Sequence, residues 1–69
     1  MDKEKFGRLM KQRRKILGIN QKDLSEISDV ALHTISDIES GKGNPTFGVI
    51  TRLCDVLGME LIIKVNGSK

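Results

Sequence analysis

Turn signals divide this 69-residue chain so finely that no element in it can bury an apolar face unaided. They fall at Gly18, at Ser28-Asp29, from Gly41 to Pro45, at Gly58 and at Asn66-Gly67. Between them lie short helical stretches and a tail, and helices this short hold only by packing on one another. The first stretch runs from about Asp2 to Leu17, with Phe6, Leu9, Met10, Arg13 or Arg14, and Leu17 at helical spacing. Gly18 suits the left-handed residue that ends it. Asn20 stands as an N-cap with Asp23 three residues on, a capping box with Asp in the Glu position. That second helix reaches about Ser28 and turns Leu24 and Ile27 inward. The third spans about Ala31 to Ser40, with Ile35 and Ile38 inward and Ala31 on the same side. The fourth starts near Thr46, behind Pro45, and carries Val49, Ile50, Leu53, Cys54 and Leu57 on its apolar face up to Gly58.

The tail M-E-L-I-I-K-V changes character. Leu61, Ile63 and Val65 alternate with Glu60, Ile62 and Lys64, a strand pattern of about six residues. A single strand leaves its backbone N–H and C=O groups unsatisfied, and no other segment has a strand pattern. Antiparallel pairing with the same strand of a second copy, across a two-fold axis, resolves this. Leu61, Ile62, Ile63, Lys64 and Val65 are therefore expected dimer contacts; the competing reading is a frayed terminus.

Size argues the same way. A chain this short buries little surface and usually adds a disulfide, a metal or a partner. Cys54 is the only cysteine, so no disulfide forms within the chain. One His and one Cys are too few of the usual metal ligands. No metal or other cofactor is expected, and a homodimer is the remaining remedy. No apolar run is long enough to span a bilayer, and M-D-K-E-K-F lacks the apolar core of a signal peptide. A lone free cysteine suits a reducing compartment. No membrane association is expected, and the cytoplasm is the expected location.

The net charge of +3 is unevenly spread. Residues 1–15 hold seven basic side chains (Lys3, Lys5, Arg8, Lys11, Arg13, Arg14, Lys15) against Asp2 and Glu4, while the rest of the chain has five basic and seven acidic residues. The basic end either attracts a polyanion such as DNA or is a solvated helix face, and charge alone leaves both open.

The segment N-Q-K-D-L-S-E-I-S-D-V-A-L-H-T-I-S-D-I-E, from Asn20 to Glu39, joins two short helices through a turn of about four residues. Leu24, Ile27, Val30, Ile35 and Ile38 let the first helix brace the second. At about 100° per residue, His33, Ser36, Asp37 and Ser40 then point away from Ile35 and Ile38, with Leu32 on the border. This outward face is short and polar, which fits close approach to base edges in a major groove.

From Met10 to Leu61 the chain resembles the Cro/CI-type (XRE) helix-turn-helix family of phage and bacterial repressors. The resemblance is carried by Arg14, Gly18, Gln21, Leu24, Val30, Thr34-Ile35-Ser36, Ile38-Glu39, Gly41-Lys42, Asn44-Pro45 and Leu57-Gly58. The tail G-M-E-L-I-I-K-V resembles the C-terminal strand of HipB-like antitoxins, which pairs across their dimer. The resemblance implies a lambda-repressor-like DNA-binding domain of four helices over residues 1–58, its helix-turn-helix at 20–40. Residues 59–69 follow as a dimerising strand and tail. It implies a salt bridge between Arg14 and Glu39, against the alternative of two unrelated surface charges. It also implies backbone contacts to double-stranded DNA from Gln21, Lys42 and Asn44, against the alternative of an exposed cap and a flexible polar loop. Thr34 joins the DNA-contacting set through the matching Thr34-Ile35-Ser36. His33, Ser36 and Asp37 are candidate base readers, with Leu32 against a thymine methyl. Asp37 departs from the basic or amide residue common in the family, and either accepts from cytosine or weakens binding. Asp29 replaces the common Gly of the turn, and Ala31 replaces the usual Ser or Thr cap, at a cost of about 1 kcal/mol.

Nothing in the sequence points to an enzyme. Cys54 lies on an apolar face with no base placed for it, and G-K-G-N-P lacks the Ser/Thr and spacing of a P-loop. The expected function is a sequence-specific transcriptional regulator, a repressor binding a palindromic operator as a homodimer. The alternative is an antitoxin that also binds a toxin protein and autoregulates its operon. A third reading is an interaction module that has kept the fold and lost DNA.

Overall fold

A computed structural model of the chain describes residues 2–67. The described residues form α1 (Lys3–Ile16), α2 (Gln21–Ser28), α3 (Leu32–Glu39) and α4 (Phe47–Leu57). Local chemistry sets most of these limits. The Asp2 carboxylate accepts the Lys5 N–H at 2.6 Å and opens α1. Asn20 and Asp23 form the reciprocal capping box of α2, at 2.7 and 3.1 Å. The Thr46 hydroxyl accepts the Val49 N–H at 3.2 Å and opens α4. Only α3 begins without a side-chain cap, because Ala31 has no acceptor to offer. Left-handed residues stop the chain where the sequence punctuates it, at Gly18 (φ 72°), Asp29 (φ 60°) and Gly58 (φ 68°).

The core is shared by all four helices. Phe6 and Met10 of α1, Leu24 of α2, Ile35 and Ile38 of α3, and Leu53, Cys54 and Leu57 of α4 are buried, together with Val30 of the turn. Both α1 and α2 pack on α3 and on α4. The contact between α1 and α3 is backbone to backbone at Gly7, where an added Cβ would collide with the Ile38 carbonyl oxygen. A side chain of any size there would force the two helices apart.

Several expected inward positions differ. Leu9 and Leu17 of the α1 stripe are partly exposed, and Ile27 is 62% exposed. In α2 the inward neighbour of Leu24 is Ser28, one full turn on, whose hydroxyl donates to the Leu24 carbonyl at 2.6 Å. That internal bond lets a polar residue take the place expected of Ile27. Ala31 is exposed, because it lies outside the helix it was expected to join.

The tail forms no strand among the described residues. Met59 is tied back by its N–H to the Cys54 carbonyl at 2.8 Å and packs on the core. Residues 59–63 then run beside Phe47, Thr51, Cys54 and Asp55 of α4. Leu61 is half-buried, while Ile62, Ile63 and Val65 are 69%, 82% and 78% exposed. A ladder needs a second strand, and the described chain contains none. No helix among the described residues is long and apolar enough to cross a membrane.

Candidate nucleic-acid interface

The interface is built on the joint between α2 and α3. Asp29 (φ 60°, ψ 32°) turns the chain sharply after α2. Val30 plugs the core, and the Ser25 hydroxyl donates to its carbonyl at 2.6 Å, clamping the turn to α2. Ile35 and Ile38 anchor α3 from behind. The helical repeat then sets His33, Ser36, Asp37 and Ser40 on the far side. His33, Asp37 and Ser40 are exposed there, Ser36 is half-buried, and Leu32 is 47% exposed at the border.

The loop after α3 folds back onto its last turn. The Gly41 N–H donates to the Ile38 carbonyl at 3.0 Å, and the Lys42 N–H to the Asp37 carbonyl at 2.8 Å. Gly41 and Gly43 both take left-handed φ, 77° and 75°, which allows the reversal. Thr34 and Pro45, both half-buried, line one small cleft with Asp37, Lys42 and Asn44, which are exposed. The structure thus brings the α3 face and the loop together on one side.

Beneath this surface lies a buried ion pair. The Arg14 Nε donates to Glu39 Oε2 at 2.7 Å and Nη2 to Glu39 Oε1 at 2.9 Å, a bidentate pair with side chains 9% and 3% exposed. Arg14 Nη1 also donates to the Ile19 carbonyl at 2.9 Å. Gln21 Nε2 donates to Glu39 Oε1 at 3.0 Å. Burial pushes the Glu39 carboxyl upward, but the hydrogen bonds from Arg14 and Gln21 and the charges of Arg14 and Lys11 outweigh it. The carboxyl is held below the ordinary range. The hydrogen bond to Glu39 raises Arg14 against the opposing effect of burial. The network locks α1, the start of α2 and the end of α3 into one frame.

Two of the seven basic residues of the N-terminal stretch serve the interior. The sequence pattern placed Arg13 or Arg14 inward, and both are engaged: Arg14 holds Glu39, while Arg13 Nε donates to the Leu57 carbonyl at 2.7 Å and closes the end of α4. The other five, Lys3, Lys5, Arg8, Lys11 and Lys15, are exposed. The spacing points to Arg13 or Arg14 without naming the Leu57 carbonyl as a partner, 44 residues away, and it gives no sign of the Ser25 bond to Val30. Cys54 is buried in the core, and burial with the Asp55 charge pushes its thiol up, away from the reactive thiolate. The exposed surface offers hydrogen-bond donors, acceptors and cations on a rigid frame.

A family model described as Helix-turn-helix matches residues 10–63, from the middle of α1 into the tail. None of the curated proteins compared matches the chain. With more than half of its length matched and its second short helix held outward by the first, the chain belongs to the XRE-type helix-turn-helix family of DNA-binding transcription regulators.

Proposed function

We propose that the protein is a repressor that reads a palindromic operator as a homodimer. The observation that carries this reading is the outward polar face of α3, with His33 and Asp37 exposed and Ile35 and Ile38 fixing the helix from behind. Placed in a major groove, that face sets His33, Ser36 and Asp37 against base edges and Leu32 against a thymine methyl. Thr34, Lys42 and Asn44 lie toward the sugar-phosphate chain, where most of the affinity arises. Gln21 has one amide N–H on Glu39 and keeps the other for a phosphate at the start of α2. In this reading the Arg14–Glu39 bridge is structural and holds the reading helix in place. Residues 1–58 contact DNA and residues 59–69 join two copies, in the cytoplasm.

Exposed Ile62, Ile63 and Val65, with Phe47 of α4 also 65% exposed, support the dimer. An apolar surface of this kind marks a protein contact. Pairing Leu61, Ile62, Ile63, Lys64 and Val65 with their copies gives the backbone groups partners. Two-fold symmetry then sets half-sites about one helical turn, roughly 34 Å, apart. Occupancy of such an operator is enough to exclude polymerase.

Selection of bound duplexes from a random pool, with solution mass measured alongside, tests this. The expected result is a palindromic consensus, lost on changing His33 and Ser36 together to Ala. Absence of any DNA binding at low salt would overturn it and leave the interaction module. A second reading has its own observation. Leu9 and Ile16 of α1 lie two turns apart on one stripe, 42% and 74% exposed, on a different helix from the proposed reading face of α3. An antitoxin would cover that stripe with its toxin. Co-purification with the product of an adjacent gene, abolished by Ile16→Glu while DNA binding persists, would favour it.

A further inference from the structure

We infer that Asp37 selects a cytosine in each half-site, at one fixed position read by α3. The inference rests on the operator-binding reading above and deepens it. Asp37 is exposed on the outward side of α3, and among the described residues its carboxylate makes neither a hydrogen bond nor a salt bridge. Its backbone is fixed, because the Lys42 and Ser40 N–H groups both donate to its carbonyl, at 2.8 and 3.1 Å. The side chain therefore starts from a fixed point on the interface, with its acceptors free.

An ionised carboxylate only accepts hydrogen bonds. Phosphates repel it, as do the O6 and N7 of guanine and the O4 of thymine. The major groove offers it two donors, the N4 amino group of cytosine and the N6 amino group of adenine. These are not equivalent. Adenine N6 lies between two acceptors, N7 on its own ring and O4 of the paired thymine. Cytosine N4 has an acceptor on one side alone, the O6 of its guanine, and a C–H edge on the other. A carboxylate can approach cytosine from the C–H side with no acceptor facing it. His33 stands one turn earlier on the same face, with Cβ atoms about 5–6 Å apart, and carries the donor that suits a neighbouring guanine. Lys42, on the rim of the same cleft, offsets repulsion between Asp37 and the nearest phosphates. The acid thus trades general affinity for selection at one base.

The test is selection from a random duplex pool with the full chain, Asp37→Asn and Asp37→Ala, each checked for unchanged circular dichroism. The wild-type consensus should hold one invariant cytosine per half-site. Asp37→Asn should convert that position to adenine, whose N6 and N7 match an amide. Asp37→Ala should bind all four bases there within a few-fold, against roughly tenfold discrimination by the wild type. Other positions should keep their preferences. An identical consensus from all three proteins, with tighter binding by both variants, would show that Asp37 merely repels DNA and would overturn the inference. So would a wild-type consensus without an invariant cytosine. Enrichment of no sequence by any of the three would instead defeat base reading by α3 as a whole.

Discussion

Replacing Arg14 by Met should unfold much of the population at 25 °C, and replacing Glu39 as well should restore part of the loss. The single variant strips Glu39 of both bonds from Arg14 and leaves its carboxylate, 3% exposed, with the Gln21 amide alone. Two lost hydrogen bonds to a charged group, at about 1.5–3 kcal/mol each, agree with the roughly 3–5 kcal/mol cost of breaking a buried pair. A domain of this length has on the order of 3–10 kcal/mol in total. Arg14→Met with Glu39→Leu leaves no buried charge, so the double variant should recover about 2 kcal/mol or more over the sum of the singles. Urea unfolding by circular dichroism at one fixed protein concentration measures all four corners of the cycle. A depressed carboxyl contributes stability that is present above its unfolded value, about 4.3, and lost as pH falls through the folded value. The wild type should therefore weaken on acidification below that pH, and Glu39→Leu should lack this part of the slope. A cost below about 1 kcal/mol for Arg14→Met at pH 7, or additive effects, would refute the buried-pair account.

Gly7→Ala should cost about 3 kcal/mol or more, because the new methyl meets the Ile38 carbonyl, a backbone atom that cannot turn aside. Thermal unfolding measures this, and a change in Tm of under a few degrees would contradict the close approach of α1 and α3. Ending the chain after Glu60 keeps the Met59 bond to Cys54 but removes the exposed Ile62, Ile63 and Val65. Sedimentation should then show a helical monomer, and a persistent dimer would remove the tail-pairing proposal. Lys42→Ala should weaken binding to all duplexes alike and lower the slope of log K against log salt by about 1. An unchanged slope would place Lys42 away from phosphate.

What the sequence makes legible here is what a few neighbouring residues decide. The capping box of Asn20 and Asp23, the left-handed cap at Gly18, the turn at Asp29, the stop at Gly58, and the inward pair Ile35 and Ile38 each depend on chain direction over one or two turns. They recur in the structure as read. Ile27 faces outward against its apolar character, because an eight-residue helix has too few turns for its apolar spacing to fix a face, and Ser28 hides its hydroxyl on Leu24. Gly7 passed unnoticed for a related reason. A glycine one residue after Phe6 looks like a weak spot in α1, and its need appears only when Ile38 is brought against it from the other side of the turn. Arg13 shows the same limit, since its bond reaches 44 residues along the chain to Leu57. The tail is a different case. Its alternation is a strand pattern, and the described residues contain no second strand to pair with it. The helices are fixed within the chain, whereas the proposed dimer places the fate of Leu61 to Val65 on a second molecule, so the decisive measurement for that segment is an association constant.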